Sequence, residues 1–209
     1  MKTLTKELQE AITPQMALDI LKEGNKRFIN NLKANRNLLQ QANETSDNQH
    51  PFAIILSCID SRTSAELIFD QGLGDIFSAR VAGNIVNEDI LGSMEFACKV
   101  AGSKIITVLG HTNCGAIKGA CDHVEMGNLT NLLAKIRPAV DDEKTITDNR
   151  TSSNNEFVDK VTSINVKRTM KNIMQRSPIL KEMMENNEIM LVGGMHDIAT
   201  GEVTFYENP

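Results

Sequence analysis

The chain has 209 residues, of which 41% are hydrophobic and 23% charged, a composition that supports a folded core and excludes a disordered or collagen-like chain. Its 22 basic and 27 acidic residues give a formal net charge of −5, and no cluster of Lys and Arg stands out. We therefore expect neither nucleic acid nor a membrane surface as a partner, but a small molecule or another protein.

The N-terminal part of the chain predicts a helical arm. Thr13 is a candidate N-cap, Pro14 suits the first helical position, and apolar residues recur on one helical face over residues 13–32. We assign residues 1–48 to this arm and residues 49–209 to the core, the two together forming a single domain over 1–209.

Four short apolar runs are typical of strands buried on both faces. A helical pattern over Glu88–Ala101 separates the second run from the third, and another over Phe157–Met174 precedes the fourth. Strands that alternate with helices predict an α/β fold with a mostly parallel central sheet flanked by helices. The four runs are Phe52–Ser57, Asp75–Val81, Lys104–Leu109 and Glu188–Val192.

The remaining segments predict loops and one edge strand. Residues 140–155 are rich in Asp, Thr, Ser and Asn, which favours a surface loop or a helix-flanking linker. Residues 198–205 combine a turn with alternating polarity, so we expect a C-terminal edge strand that pairs with the strand before it. We place His123 in a helix and Cys98 in the core.

No apolar run approaches the roughly 18 residues that cross a bilayer, and the N-terminal residues lack the apolar stretch of a secretory signal. We therefore expect a cytoplasmic protein. In that compartment, four cysteines in a chain of this size favour metal or thiol chemistry over a disulfide framework. They are Cys58, Cys98, Cys114 and Cys121.

Metal-binding side chains follow two of the predicted strands. Cys58 comes directly after the first strand, and His111 and Cys114 follow the third. A single buried Cys is more often an apolar filler than a ligand. However, the carboxyl ends of parallel strands meet at one edge of the sheet, where these three side chains could converge. Two thiolates and an imidazole form a Zn²⁺ ligand set that leaves one tetrahedral position open.

Asp60 and Arg62 lie just beyond Cys58. Asp60 could take the fourth zinc position, or it could pair with Arg62 and leave that position to water, because a guanidinium matches a carboxylate in geometry. An ordinary loop salt bridge is the third reading. The residues themselves leave these alternatives open.

Three segments in this order and spacing resemble the signatures of the β-class carbonic anhydrases, and the likeness runs from about Ala17 to Phe205. The resemblance implies a mostly parallel α/β fold and a homodimer or dimer of dimers with one Zn²⁺ per subunit. It also implies reversible hydration of CO₂ to bicarbonate and a proton. The segments are Cys58-Ile59-Asp60-Ser61-Arg62, Arg80-Val81-Ala82-Gly83-Asn84 and Gly110-His111-Thr112-Asn113-Cys114-Gly115.

The resemblance also implies a role for each matching residue. The family's zinc ligands match Cys58, His111 and Cys114. Its catalytic dyad, which assists attack of zinc-bound hydroxide on CO₂, matches Asp60 and Arg62. In some members the corresponding aspartate binds zinc as a fourth ligand in a closed state.

Two further positions match residues around the family's substrate site. Gln49 corresponds to a glutamine that donates a hydrogen bond to bound substrate in plant-type members, and Gly83 to a small residue beside the active-site loop. Bacterial members with an inhibitory bicarbonate pocket use a Trp, an Arg and a Tyr. Arg80 matches the Arg, but Ile55 and His196 replace the other two, so we expect bicarbonate inhibition to be weak or absent.

Two other functions stay open at this stage. The same ligand set could hydrolyse carbon disulfide or carbonyl sulfide, whose carbon centres are related to that of CO₂. Alternatively, a zinc ion saturated by four protein ligands would make the chain a non-catalytic, bicarbonate-sensing protein.

Overall fold

The computed structural model describes residues 3–206 as a five-stranded sheet with helices on both faces. The strand order is β2-β1-β3-β4-β5, with β5 antiparallel to β4 and every other pair parallel. This confirms the predicted α/β class and the antiparallel C-terminal edge strand. The strands are β1 (Ala53–Ser57), β2 (Ile76–Arg80), β3 (Ile105–His111), β4 (Met190–His196) and β5 (Val203–Phe205).

Within the same described residues, ten α-helices surround the sheet, and the predicted arm contains three of them. A 3-10 turn covers Ala82–Asn84 and a π-helical turn covers Phe96–Val100. The helices are α1 (Lys6–Ala11), α2 (Pro14–Ile29), α3 (Leu38–Glu44), α4 (Ala65–Ile68), α5 (Glu88–Glu95), α6 (Gly115–Cys121), α7 (Gly127–Ala134), α8 (Arg137–Asp142), α9 (Asn155–Arg176) and α10 (Pro178–Glu185).

Burial explains why the apolar runs form the central strands. Every residue of β1 and β3 is buried, as expected for strands covered on both faces. The β1–β3 register pairs Leu56 with Val108, and continuing it places Cys58 level with Gly110, next to His111. The order of the sheet therefore brings the ends of β1 and β3 together at its carboxyl edge.

Three apolar clusters hold the helices to the sheet. One lies under α2, where Ala17 and Leu21 are fully buried against the sheet, so the arm shares a core with the strands. A second lies on the opposite face under α5, α9 and α10. The third joins α6, α8 and the start of α9 around Cys58 and Cys114. The two sulfurs thus lie in an apolar setting at the edge of the sheet.

The close approach of α9 to the end of β3 depends on Gly110. A Cβ atom at this position would lie 2.7 Å from Cγ2 of Val166 and 3.1 Å from Cγ2 of Thr162. Glycine therefore lets the backbone of β3 contact the helix directly. This contact brings the middle of α9 near the loops that follow the strands.

Several predicted boundaries differ from the structure. β3 and β4 extend to His111 and His196, because strand pairing continues through Gly110 and Gly194. The prediction for His123 was wrong: it lies in a turn after α6, with a left-handed φ of 53°. The predicted loop over 140–155 begins inside α8. Among the described residues, none of the helices is both long and apolar enough to cross a membrane.

A buried carboxylate organises the loop between α8 and α9. Glu143 is 2% exposed and accepts hydrogen bonds from Thr145, from the Ile146 amide and from Arg150 Nη1 at 2.8 Å. The Arg150 guanidinium also covers the Phe157 ring at 4.6 Å. Burial alone would raise the pKa of Glu143, but these hydrogen bonds outweigh it and lower the pKa to about 2.

We expect Glu143→Gln to reduce the free energy of unfolding by about 1–3 kcal/mol at neutral pH, because it weakens a buried hydrogen-bonded pair. A depressed folded-state pKa stabilises the fold above the ordinary glutamate value of 4.5, and this contribution is lost as the pH falls toward about 2. The difference from wild type should therefore shrink below pH 4.5. Urea unfolding over a pH series measures it, with exposed Glu156→Gln as the control; a difference independent of pH would contradict the assignment.

Candidate metal centre

The structure brings Cys58, His111 and Cys114 together at the carboxyl edge of the sheet. Their ligand atoms all lie within 4.8 Å of one another. The residues are 3%, 1% and 0% exposed, respectively. The group joins the end of β1, the end of β3 and the start of α6, as the order of the parallel strands predicts.

The loop that carries Cys58 is held by hydrogen bonds to its carbonyl groups. Arg80, at the end of β2, donates from Nε to the Cys58 carbonyl at 3.0 Å and from Nη2 to the Asp60 carbonyl at 2.6 Å. The Thr63 hydroxyl hydrogen-bonds the same two carbonyls at 3.0 and 2.9 Å. The position of the first sulfur is therefore set by its neighbours as well as by β1.

Cys114 and His111 are oriented by the elements around them. Cys114 is the N-cap residue of α6. Its hydrogen bond with Cys58 and its burial raise the pKa of its thiol, and the backbone N–H groups at the start of the helix offset only part of that effect. His111 Nδ1 lies 2.9 Å from the Thr112 carbonyl oxygen. Because a carbonyl only accepts, Nδ1 carries the proton and Nε2 keeps a free lone pair. Nε2 is buried and has no hydrogen-bond partner among the described residues.

The two sulfur atoms are 3.9 Å apart. A tetrahedral zinc ion with Zn–S bonds of about 2.3 Å would separate its two sulfurs by about 3.8 Å. The hydrogen bond from Cys114 lowers the pKa of Cys58, which favours a thiolate at that position. Three features therefore fit a zinc ion. The His111 Nε2 is buried without a partner, its Nδ1 is bound to a carbonyl, and the two sulfurs lie at the distance that zinc requires.

Asp60 and Arg62 form a bidentate pair beside this group. Arg62 donates from Nε to Oδ1 at 2.9 Å and from Nη2 to Oδ2 at 2.8 Å, and its backbone N–H also donates to Oδ1 at 3.0 Å. The hydrogen bond from Arg62 holds the pKa of Asp60 well below its ordinary value, so the carboxylate is ionised. The Asp60 side chain is 16% exposed and that of Arg62 is 54% exposed. Asp60 is therefore bound by Arg62 and is not among the three residues whose ligand atoms cluster.

Gly83 lies next to the first sulfur. Its N–H points to Cys58 Sγ, 3.5 Å from the nitrogen, and its φ of 69° is in the left-handed region that favours glycine. A Cβ atom here would lie 2.5 Å from Cδ1 of Ile136. Gly83 thus contributes a backbone donor at a position where a larger residue would be both strained and crowded.

Gln49 lies elsewhere in the chain. Gln49 is exposed and lies before the amino end of β1, whereas Cys58 follows the carboxyl end of the same strand. β1 lies between the two residues. Within one chain the structure therefore places Gln49 away from the metal centre.

Of the three positions that correspond to the family's inhibitory anion pocket, Arg80 binds other groups and the remaining two are buried. Arg80 donates to loop carbonyls, and Ile55 is fully buried inside β1. His196 pairs with His111 in the β3–β4 register and is 2% exposed. Burial and the neighbouring His111 lower the pKa of His196 to about 4, which leaves the imidazole neutral. Weak bicarbonate inhibition stays a prediction.

Two residues near the centre were absent from the sequence-based interpretation. Thr63 hydrogen-bonds the Cys58 loop, and Asn165 on α9 donates from Nδ2 to the Gly83 carbonyl at 2.8 Å. Nothing in the sequence around Thr63 indicates this contact. Asn165, however, is an amide on the buried face of α9, among apolar residues such as Val158, Val161 and Val166, which is a recognisable signal.

Comparisons with known proteins agree with this geometry. A sequence model described as carbonic anhydrase matches residues 53–203. Carbonic anhydrase 2 of Mycobacterium tuberculosis is 32% identical over 207 residues, which cover 93% of this chain and 94% of that protein. The carbonic anhydrase of Mycolicibacterium smegmatis is 30% identical over 197 residues, which cover 91% of this chain and 92% of the relative.

Solved structures share the fold. One of two tetrameric β-carbonic anhydrases from Sordaria macrospora has a TM-score of 0.69 at 23% identity, covering 81% of this chain and 90% of that one. The β-carbonic anhydrase of Coccomyxa, solved with acetazolamide, has a TM-score of 0.69 at 22% identity, covering 97% and 86%. With a family match from the start of β1 to the start of β5, the chain belongs to the β-carbonic anhydrase family.

Proposed function

We propose that this protein is a zinc enzyme that catalyses the reversible hydration of CO₂ to bicarbonate and a proton. The observation that carries the proposal is the convergence of Cys58, His111 and Cys114 beside a carboxylate already bound by Arg62. Three protein ligands leave one tetrahedral position for chemistry, which is the arrangement typical of catalytic zinc. A zinc ion bound there supplies a Lewis acid that lets a water molecule lose its proton near neutral pH.

In this mechanism the residues of the chain hold and orient the reactants. Asp60 is ionised, so it can accept a hydrogen bond from the attacking oxygen but cannot donate one. That restriction directs the lone pair of the nucleophile toward the carbon of CO₂. Arg62 binds both carboxylate oxygens and thereby fixes the orientation of Asp60. We assign Asp60 as the catalytic residue and Arg62 as its positioning residue.

The position of Asp60 favours catalysis over the non-catalytic alternative. A zinc ion saturated by four protein ligands would need the Asp60 carboxylate among its ligands, whereas the carboxylate is engaged by three donors of Arg62. An alternative closed state would require these hydrogen bonds to break. The pair therefore supports an open fourth position.

We also propose that the enzyme is a homodimer or a dimer of dimers with one Zn²⁺ per subunit. Gln49 can assist substrate binding only at the metal centre of a second subunit, because the metal centre of its own chain lies at the opposite end of β1. Close to it in sequence, Leu38 and Leu39 of α3 are 55% and 74% exposed, an apolar surface that a second copy would cover. Sedimentation equilibrium measures the assembly, and a stable monomer with full activity would contradict this role for Gln49.

The test of the function is stopped-flow CO₂ hydration by purified protein whose zinc content has been measured. We expect activity in proportion to bound zinc, loss of activity on chelation and recovery on adding Zn²⁺. Carbon disulfide and carbonyl sulfide should be assayed in parallel, because turnover of these substrates without CO₂ hydration would replace the proposal with the hydrolase alternative. A zinc-loaded protein inactive on all three would favour the bicarbonate-sensing function.

A further inference from the structure

Asn165 is a buried polar residue for which the proposed reaction has no role. It lies near the middle of α9, is 2% exposed, and shares its face of the helix with buried Val158, Val161 and Val166. Its Nδ2 donates to the carbonyl oxygen of Gly83 at 2.8 Å. An amide placed among apolar residues carries a desolvation cost that this hydrogen bond offsets.

The residue that accepts this bond is in direct contact with the metal centre. The Gly83 N–H points to Cys58 Sγ, so one backbone group of Gly83 contacts Asn165 and the other contacts a sulfur of the cluster. Gly83 has a φ of 69°, and glycine populates both signs of φ readily. The Asn84 N–H closes this turn on the Val81 carbonyl at 3.0 Å. The hydrogen bond from Asn165 adds a second restraint, on the carbonyl of the residue whose N–H points to Cys58.

We propose that Asn165 is a positioning residue for the metal centre, acting through Gly83 on the Cys58 sulfur. The inference rests on the proposed zinc site. A hydrogen bond to a coordinating thiolate withdraws charge from the sulfur and fixes its direction, and partners of this kind tune metal affinity by about 10–100-fold. Because Asn165 acts one residue removed from the sulfur, the lower end of that range applies.

A purely structural role makes a different prediction. If Asn165 only satisfies the Gly83 carbonyl, its loss lowers the stability of the fold and leaves the metal–sulfur bond unchanged. Measurements on the metal site itself separate the two roles. These are the zinc dissociation constant, obtained by competition with a chelator, and the sulfur-to-cobalt charge-transfer absorption of the Co²⁺-substituted protein.

The experiment compares Asn165→Leu with a matched control on the same helix. Leucine keeps the approximate size of the side chain and removes the donor. Thr169→Val is the control, because Thr169 is 3% exposed, lies about one turn further along α9 and is likewise a buried polar residue. We expect the zinc dissociation constant to rise about 10-fold in Asn165→Leu and to stay within about 2-fold of wild type in Thr169→Val. The charge-transfer band should shift only in Asn165→Leu.

A second variant keeps the proposal testable if Asn165→Leu does not fold. Asn165→Ala removes the donor without adding bulk or charge, so it should weaken zinc binding and shift the band in the same direction. The inference is overturned if a folded variant at position 165 has the zinc affinity and the cobalt spectrum of the wild type. It is also overturned if Thr169→Val loses as much zinc affinity as the position-165 variants. Wild-type protein that binds no zinc would instead overturn the proposed function, so the two failures are distinguishable.

Discussion

Replacing Cys114 with serine is expected to remove zinc from the protein and abolish CO₂ hydration. Serine is close in size to cysteine, but its hydroxyl stays protonated at neutral pH and is a poor zinc ligand. Partners outside the ligand set cost about 10–100-fold in metal affinity when they are lost, so the loss of a ligand should cost more than about 100-fold. Zinc per chain is measured after gel filtration, in parallel with stopped-flow activity.

The same helix provides the control. Cys121 ends α6, is 2% exposed and belongs to the same apolar cluster as Cys114, but it lies outside the three-residue group. Burial raises its pKa to about 11, so it is a neutral thiol. We expect Cys121→Ser to bind zinc and to retain activity. Equal zinc loss in both variants would mean that packing of α6, and not coordination by Cys114, explains the result.

The convergence of the three metal-binding residues could be predicted because it follows from sheet order. Cys58 and His111 are far apart in sequence, yet each lies at the end of a buried apolar run. Two adjacent parallel strands place such ends at one edge. Chain-local signals also predicted α2, where Thr13 accepts a hydrogen bond from Met16 N–H and Pro14 begins the helix.

The contacts that orient the ligands could not be predicted in the same way. Arg80 reaches the Cys58 loop from β2, and Asn165 reaches Gly83 from α9, so each contact depends on how separate elements pack. Periodicity predicts which face of α9 is buried but not what that face meets. The predicted third strand ended at Leu109, whereas β3 continues to His111, because Gly110 permits close packing against Val166.

We expect Asp60→Asn to lower the rate of CO₂ hydration by about 10²-fold or more, the effect typical of losing a positioned proton acceptor. Zinc content should stay at the wild-type level, because Asp60 is paired with Arg62 and lies outside the three-residue group. Asparagine retains the size of the side chain but loses the charge, and its amide can donate as well as accept. The attacking oxygen would then no longer be held in one orientation.

Asp142→Asn is the control for the change from carboxylate to amide. Asp142 is 50% exposed and pairs with Arg168, so its substitution breaks an aspartate–arginine pair that belongs to a different surface. Exposed pairs of this kind contribute about 0–1 kcal/mol to stability, and we expect wild-type activity. Loss of zinc in Asp60→Asn would show that Asp60 is a ligand and not an acceptor. Full activity with full zinc would show that the Asp60–Arg62 pair is only a loop salt bridge. The metal ion alone would then have to orient the nucleophile.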